Sequence, residues 1–366
     1  MTRINKAKEA IKQVGLDGLA LIAGPDLFYS CGLQFHLSER PVILLVTPDH
    51  LPVLIHPQLE AQKVKATTTP LDAFSYTEDR SSWTNTIQEV AETFQLKGKN
   101  IGVNPTSMRF LEMDLLQQAG FDCNFVSAAQ VIKGLRITKD DAELSAMRKA
   151  VLIAEEALMN TIPQILVGKS EKEIANALTI NLLQSGSDND LPFMPVVASG
   201  PNSANPHAVP TDRVLQANDL LVIDWGARAD GYISDITRTF AIQNIPDDFL
   251  LIAETVKQAN LSSQTRVKPN VTSHDIDSAA REVITRAGYG QYFIHRTGHG
   301  IGLETHEEPY IQEGNSLVIK EGMTFTIEPG IYLPGIGGIR IEDNVYVNTM
   351  GVETLTSLPR EVRIIK

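Results

Sequence analysis

Hydrophobic and polar positions in the first third of the chain follow two different periods. Short apolar runs bounded by polar or turn residues, the pattern of buried strands, occur at residues 18–22, 42–46, 53–55, 101–103 and 125–126. Between them, apolar positions recur every three or four residues, which predicts amphipathic helices over residues 4–14, 82–94 and 107–119. Helices that alternate with strands in this way predict a small α/β domain.

A charged stretch around residues 133–141 separates this region from a long helical pattern at residues 142–159. Because 366 residues exceed the size at which a single hydrophobic core stops growing, two domains are expected. We place the boundary at residue 131, so that the two domains comprise residues 1–131 and 132–366.

The second domain contains a weak internal repeat. Residues 170–177 resemble residues 272–279: each segment begins with Ser or Thr, has an acid three residues later, and leads to a glycine. These are start and stop signals of helices. Each segment follows another helical pattern, at residues 142–159 and 248–260, and precedes extended segments. The repeat therefore predicts a duplicated unit of two helices followed by two strands.

Composition and charge narrow the classes of protein to which the chain can belong. The net charge of −12 argues against nucleic-acid binding, because neutralising phosphates requires a basic surface. No apolar run approaches the roughly 18 residues of a membrane span, and the amino-terminal segment has the pattern of an amphipathic helix rather than of a signal peptide. Two cysteines, Cys31 and Cys123, are too few for a disulfide framework. We expect a cytoplasmic protein that binds neither nucleic acid nor membranes.

Two aspartates lie symmetrically about the centre of a predicted hairpin. Asp224 ends an apolar run, a turn rich in glycine and aspartate follows, and Asp235 precedes a second strand-like run. The two carboxylates are expected to be opposed or nearly so on facing strands. Like charges that face each other in a sheet are destabilising, whereas a divalent cation between them would make them a ligand pair. Two solvated aspartates are the alternative, but the apolar run is typical of a buried strand.

Two glutamates in the second copy of the repeat likewise lie on strand-like segments that are joined by a turn. Glu328 ends a strand-like run at a Pro-Gly turn, and Glu342 follows after a glycine-rich connection. Strand alternation predicts that Glu342 shares one face with Arg340 and Asn344. A polar face on a single hairpin would be interpreted as exposed to solvent. Because such hairpins occur in both halves of the repeat, we favour the interpretation that their polar faces form one shared site.

A segment rich in histidine and glycine lies between the two hairpins. Its glycines, Gly298 and Gly300 among them, are interpreted as positions where the backbone approaches a ligand closely. The Gly-x-Gly pattern lacks the third glycine of a dinucleotide fingerprint, and Pro309 interrupts any helix after it. The histidines of this segment are His295, His299 and His306.

Four carboxylates and one imidazole would form an oxygen-rich site for metal ions. Such ligands suit harder ions such as Mn²⁺, although Co²⁺, Zn²⁺ and Fe²⁺ are also compatible. Two divalent ions that share carboxylates can polarise a carbonyl and deprotonate a bridging water. Further histidines, including His207, are then available to orient a substrate or transfer protons. The predicted metal ligands are Asp224, Asp235, His299, Glu328 and Glu342.

The order and spacing of these residues form recognisable motifs: Pro206-His207, Asp224 followed by Asp235 in SDITRT, His299 followed by His306-Glu307, Glu328-Pro329-Gly330, and Arg340-Ile341-Glu342-Asp343. They resemble the pita-bread metallopeptidases, and most closely the Xaa-Pro aminopeptidases and Xaa-Pro dipeptidases (prolidases). The resemblance implies a two-domain α/β protein in which a small creatinase-like α/β N-terminal domain precedes an α+β pita-bread catalytic domain with an internal pseudo-twofold repeat.

The resemblance also implies a dinuclear metallopeptidase that hydrolyses the bond between an N-terminal residue and proline with a metal-bridged hydroxide. By this analogy Asp224 would chelate one ion, and Asp235 and Glu342 would bridge both. His299 and Glu328 would complete the shell of the second ion, and Glu328 would accept the proton of the bridging water. The residues expected to bind substrate or to act in catalysis beside Glu328 are His207, His295, His306 and Arg340.

The expected partner is a proline-containing di- or oligopeptide, and the resemblance implies a homodimer. Whether the enzyme is a dipeptidase or an aminopeptidase stays open at this point. One alternative is a pita-bread hydrolase of a non-peptide C–N bond, either creatinase-like or ectoine-hydrolase-like. A non-catalytic peptide-binding module is a further alternative, and the complete set of ligands argues against it.

Overall fold

The structure, a computed structural model, describes residues 2–120 and 122–366. The chain divides into two compact units, Met1–Arg136 and Ile137–Lys366. Among the helices of the described ranges, none combines the length and the apolar character that crossing a bilayer requires.

The first unit is built on a mixed sheet with the strand order β4-β3-β2-β1-β5-β6. The strands are β1 (Gly18–Ile22), β2 (Ile43–Val46), β3 (Val53–Pro57), β4 (Asp72–Tyr76), β5 (Asn100–Val103) and β6 (Asn124–Ser127). The helices are α1 (Arg3–Val14), α2 (Pro25–Cys31), α3 (Ala61–Lys65), α4 (Arg80–Thr93), α5 (Phe110–Gln118) and α6 (Ala129–Arg136), with a 3₁₀ turn at Gln58–Glu60.

Strand β1 is apolar throughout because both of its faces are covered. Leu19 and Leu21 pack into one core, whereas Ala20 and Ile22 pack into a second core on the opposite face. The five strands predicted in this region are present, each within two residues at either end. Strand β4 was missed because it lies at the edge of the sheet and is largely exposed, so it lacks an apolar run.

The boundary predicted at residue 131 falls inside α6. The prediction treated the charges from Lys133 onward as a connecting stretch, but Ile132 is buried in a core of the first unit. Helix α6 is therefore amphipathic, and the structure continues the first unit to Arg136. The boundary at residue 131 itself stays a prediction.

The second unit combines two helix pairs with two larger sheets. The helices are α7 (Asp141–Thr161), α8 (Glu171–Gln184), α9 (Asp247–Arg266) and α10 (Ser273–Arg286), with 3₁₀ turns at Ile162–Gln164, Gly200–Ala204 and Gly290–Tyr292. The strands are β7 (Val196–Ser199), β8 (Leu220–Trp225), β9 (Arg228–Ala229), β10 (Tyr232–Ile233), β11 (Ile236–Ile242), β12 (Gly298–Gly300), β13 (Glu307–Ile311), β14 (Thr324–Ile327), β15 (Gly330–Leu333), β16 (Gly337–Arg340), β17 (Asp343–Asn348), β18 (Gly351–Thr354) and β19 (Arg363–Ile365). The sheets have the orders β19-β11-β8-β7 and β13-β12-β14-β17-β18, and β9–β10 and β15–β16 are separate hairpins.

The predicted repeat is visible in how the second helix of each pair begins. Ser170 and Thr272 each form a capping box with the acid three residues later. Each also forms an isolated bridge, Ser170 to Val214 and Thr272 to Val318. The two halves therefore share the helix start and also the extended segment that pairs with it.

The first predicted hairpin is more complex than its sequence pattern. Strands β8 and β11 pair as expected, but Asp224 lies opposite Thr237, so that Asp235 is displaced diagonally. The connection forms the small hairpin β9–β10, and the chain passes so close to itself that a Cβ at Gly226 would lie 2.0 Å from the Ser234 carbonyl oxygen. An isolated bridge from Thr237 to Glu342 joins this strand to the second half.

Candidate metal centre

A cavity of about 770 Å³ opens in the second unit where the two halves of the repeat meet. All the residues for which the sequence predicted a site role line it, although they come from segments more than 100 positions apart. They are His207, Asp224, Asp235, His295, His299, His306, Glu328, Arg340 and Glu342.

Asp235, His299 and Glu342 form the tightest group in the cavity. One ligand atom from each lies within 4.8 Å of the others, and all three side chains are buried. His299 Nε2 is 3.7 Å from Asp235 Oδ2 and 3.3 Å from Glu328 Oε1. Burial first, and then the nearby His306, lower the pKa of His299 well below its usual value. The imidazole is therefore neutral, and its Nδ1 donates to the Gly300 carbonyl oxygen at 3.2 Å, which directs the Nε2 lone pair towards the carboxylates.

The backbone around the carboxylates is held by side chains that do not themselves line the cavity. The Asp235 N–H donates to Asn344 Oδ1 at 3.0 Å, and Asn344 Nδ2 donates to the Asp235 carbonyl oxygen. Thr237 Oγ1 donates to Glu342 Oε2 at 2.6 Å. Asn344 and Glu342 thus both contact the first half of the repeat, at Asp235 and Thr237.

Electrostatics indicate that this group of acids needs a positive counter-charge. Burial first, and then the neighbouring carboxylates, raise the pKa of both Asp235 and Glu342 well above their ordinary values. Burial also raises the pKa of Glu328 to about 7, although Arg340 opposes the shift. Asp224 Oδ1 is buried and has no hydrogen-bond partner among the described residues. Divalent cations would supply both the missing charge and the missing partner, so the donor set fits them.

Arg340 is held rigidly in the wall of the cavity. Its Nη2 donates to Asp224 Oδ2 at 2.7 Å and its Nε donates to Thr237 Oγ1 at 3.0 Å. Its Nη1 donates to Tyr332 Oη at 2.9 Å and to the Pro206 carbonyl oxygen at 3.2 Å. The guanidinium therefore links the acids of the metal group to the loop that carries His207.

Three histidines surround the acids without belonging to the tightest group. Burial, followed by Arg340, lowers the pKa of His295 to about 4, and this neutral ring accepts the Tyr332 hydroxyl at Nε2 (2.9 Å). The ring of His306 meets that of His299 edge to face, with centroids 4.3 Å apart, and burial lowers its pKa. His207 is exposed at the rim.

Sequence reasoning missed three residues that shape the site. Thr237 is two positions after Asp235 on a strand, and this period of two could have identified it. Arg296 lines the cavity next to His295 and stacks over the Tyr310 ring at 4.5 Å, and its position beside a candidate histidine was a usable signal. Tyr332 lies in an apolar strand that carries no local signal of a polar role.

The glycines of the histidine segment allow neighbouring strands to pack closely against β12. A Cβ at Gly298 would lie 1.9 Å from the Thr326 carbonyl oxygen, and one at Gly300 would lie 2.2 Å from the Glu308 carbonyl oxygen. Close packing against neighbouring backbone accounts for these two glycines, and an approach of the glycine backbone to a ligand stays a prediction. They allow β12 to carry His299 between two strands.

The chain's sequence matches Metallopeptidase family M24 over residues 145–349 and the Creatinase/Prolidase N-terminal domain over residues 3–138. The fold and the site therefore define a metallopeptidase with a creatinase-type N-terminal domain and a pita-bread catalytic domain, which confirms the predicted architecture. The chain belongs to metallopeptidase family M24. Membership of this family implies divalent metal ions, in agreement with the donor set.

Similar proteins match along nearly the whole chain. An Xaa-Pro dipeptidase of Lactobacillus helveticus is 35% identical over 353 residues, which are 95% of this chain and 95% of the relative. The solved structure of a dipeptidase from Pyrococcus horikoshii OT3 has a TM-score of 0.93 at 36% identity and covers 99% of this chain and 100% of that one. The solved X-Pro aminopeptidase from Thermotoga maritima MSB8 has a TM-score of 0.87 at 30% identity, with coverage of 98% and 100%.

Proposed function

We propose that this protein hydrolyses the peptide bond between an N-terminal residue and proline with the help of two divalent metal ions. The observation that carries the proposal is the cavity that gathers four carboxylates, His299 and further histidines in an M24 chain. The similarity to an Xaa-Pro dipeptidase over 95% of both chains supports the same bond.

Five residues would hold the ions. Asp235, His299 and Glu342 would form the centre of this set, because one ligand atom of each lies within 4.8 Å of the others. Asp224, with its unpartnered Oδ1, and Glu328, whose Oε1 lies 3.3 Å from His299 Nε2, would complete the ligand set. The oxygen-rich set favours Mn²⁺ among the possible metals. When bound, the ions supply Lewis-acid polarisation of the scissile carbonyl and acidify water.

The chain's own residues would orient the peptide and move protons. An Xaa-Pro bond is a tertiary amide without an N–H, so the site must hold the substrate at other groups. His207 and His306 on the cavity wall would donate to the carbonyl oxygen as charge develops there. The Glu328 carboxylate would accept the proton that the attacking water loses. Arg340 and His295 would keep this wall in place through their shared partner Tyr332.

Arg296 favours a free dipeptide as the substrate. Arg296 lines the cavity, its guanidinium stacks on Tyr310, and the described residues offer its side chain no hydrogen bond or ion pair. In an Xaa-Pro dipeptide the carboxylate follows the scissile bond by one residue, and a guanidinium binds such a group by charge-assisted hydrogen bonds. We therefore propose dipeptidase rather than aminopeptidase activity.

The test compares Ala-Pro, Ala-Pro-amide and Ala-Pro-Ala as substrates, with creatine as a non-peptide C–N substrate. We expect hydrolysis of Ala-Pro, and we expect Arg296→Met to raise the KM for Ala-Pro roughly tenfold, because a charged hydrogen bond contributes about 1.5 kcal/mol. The KM for the amide should change little. Arg286→Met, which removes an exposed arginine elsewhere, is the matched control. Turnover of creatine without turnover of any Xaa-Pro peptide would overturn the proposal.

We also propose a homodimer in a reducing cytoplasm. The two cysteines are both free, which is compatible with a reducing compartment. Light scattering of the purified protein tests the dimer, and fractionation of cells tests the location.

A further inference from the structure

One carboxylate holds both ends of the loop that carries His207. This loop, residues 199–211, is here called the His207 loop. Glu171 is the first residue of α8 and its side chain is fully buried. Its Oε1 accepts the Ser199 N–H at 2.7 Å and the Ser199 hydroxyl at 2.8 Å. Its Oε2 accepts the Thr211 N–H at 2.9 Å and the Thr211 hydroxyl at 2.6 Å.

The first half of the loop is also attached to β16, whereas the part after Pro206 has fewer contacts. The Gly338 N–H donates to Ser203 Oγ at 2.9 Å, and Arg340 donates to the Pro206 carbonyl oxygen. The next residue, His207, is exposed, as is Val209 two positions later. The position of the imidazole therefore depends on the anchored segment before it and on the end of the loop at Thr211, which Glu171 holds.

Glu171 holds the loop as an anion through hydrogen bonds, and the nearby Arg213 reaches it only indirectly, by donating to Ser199 Oγ at 2.6 Å. Among the described residues no lysine or arginine forms an ion pair with it, and Arg213 pairs with Asp219 instead. Burial raises the pKa of Glu171, but the hydrogen bonds from Thr211 and Ser199 together lower it below its usual value. The amino terminus of α8 favours a negative charge at the same point. A neutral amide could not replace the carboxylate, because its NH₂ group would face an N–H donor.

The second half of the repeat has no equivalent acid. The corresponding position is Ser273, which also begins its helix and also donates its N–H to an extended segment, at Leu317. The equivalent bond in the first half runs from the Glu171 N–H to the Arg213 carbonyl oxygen. The helix start is thus common to both halves, whereas an acid at the first position of this helix occurs only in the half that carries the His207 loop; in the second half the buried carboxylate is Asp277, one turn further on, which accepts the Thr297 N–H and hydroxyl.

We infer that Glu171 is a positioning residue: by holding both ends of the His207 loop it sets the place of the imidazole at the cavity. It does not line the cavity itself. The effect on turnover rests on the proposed function, whereas the effect on the loop does not.

Glu171→Gln tests the inference, with Glu155→Gln as the matched control. Glu155 is a buried helical carboxylate that likewise accepts N–H and O–H donors from a loop, at Ser357 and Leu358, and none of these residues lines the cavity. Both variants are prepared alone and in combination with His207→Ala. For each protein we would measure the hydrogen exchange of residues 199–211, the metal content, and kcat and KM for Ala-Pro.

We expect Glu171→Gln to accelerate exchange in the His207 loop at least tenfold and to lower kcat/KM roughly 10- to 100-fold, because a small displacement of a positioning group has effects of this size. Metal content should be unchanged. The loss should be non-additive with His207→Ala, since both variants remove the same placed imidazole. Glu155→Gln should leave loop exchange unchanged and should combine additively with His207→Ala.

Unchanged loop exchange in Glu171→Gln, or additive losses with His207→Ala, would refute the positioning role. If Glu171→Gln does not fold, Thr211→Val removes one donor hydroxyl with little change of shape and should show the same effects at smaller size. If the wild-type protein cleaves no Xaa-Pro peptide, the proposed function fails, while loop exchange still decides whether Glu171 holds the loop.

Discussion

Asp235 is fixed in the cavity by its backbone rather than by its carboxylate. Both its N–H and its carbonyl oxygen bond to the Asn344 side chain, whereas the nearest basic atom to its carboxylate is His299 Nε2 at 3.7 Å. The carboxylate therefore stabilises little in the absence of metal, and its raised pKa reflects burial among other acids. A buried acid that does not stabilise the fold and lies in a cavity is expected to have a functional role there, in this case as a metal ligand.

Asp235→Asn should abolish turnover while leaving the fold intact. Because the amide keeps the shape and Asn344 keeps the backbone, the melting temperature of the metal-free protein should not fall. Residues that only hold a metal ligand in place change activity by up to about 100-fold when they are replaced. Because Asp235 is proposed as a ligand itself, its replacement should lower kcat/KM for Ala-Pro by at least about 100-fold. Activity assays, elemental analysis and thermal melting give the three readouts.

Asp230→Asn is the control for Asp235→Asn. Asp230 is exposed in the turn between β9 and β10, where it pairs with Lys149. This variant should keep its metal and its activity. Wild-type turnover by Asp235→Asn would remove Asp235 from the proposed ligand set.

At the scale of elements, the position of His299 depends on strands that pack unusually closely. Gly298 lies on β12 directly before His299, and a Cβ there would overlap the carbonyl oxygen of Thr326 on the neighbouring β14. A backbone atom cannot move aside as a flexible side chain can. The two strands would have to separate, and the imidazole would move with them.

Gly298→Ala should therefore destabilise the second unit by about 3 kcal/mol, the upper range for overpacking a core. At roughly 2–4 °C per kcal/mol, thermal melting should fall by about 6–12 °C, and metal content should fall with it. Gly134→Ala is the matched control, because Gly134 lies in helix α6 with no atom within 4 Å of the added methyl. That variant should be as stable as the wild type or slightly more stable. Equal melting of the two variants would contradict the packing argument.

How far the sequence predicts this structure depends on whether the signal is local. The capping boxes at Ser170 and Thr272 and the apolar strands are local features, and they were predicted nearly to the residue. The contact between the halves is not local. The bridge from Thr237 to Glu342 joins residues far apart in the chain, and strand periodicity defines only the face on which each lies. Tyr332 was missed for the same reason, because its hydroxyl acquires its polar partners, His295 and Arg340, only through folding.

At the scale of the whole molecule, the candidate site joins the two halves of the second unit. The first half provides Asp224 and Asp235, and the second half provides His299, Glu328 and Glu342. Buried acids from both halves repel one another, and this repulsion adds to a chain that already has a net charge of −12. Cations in the site would reverse the sign of this interaction and link the halves.

Removal of metal should therefore lower the stability of the protein. A ligand present at about 100 times its dissociation constant stabilises the folded state by about 2.7 kcal/mol, which corresponds to roughly 5–11 °C in the melting of a unit of this size. Dialysis against a chelator should lower the melting temperature by such an amount, and Mn²⁺ should restore it. Asp235→Asn serves as the control, because its melting should respond weakly to Mn²⁺ if Asp235 is a bridging ligand. If neither the chelator nor Mn²⁺ changes the melting temperature of the wild-type protein, metal ions do not hold the acids together. That result would contradict the dinuclear site.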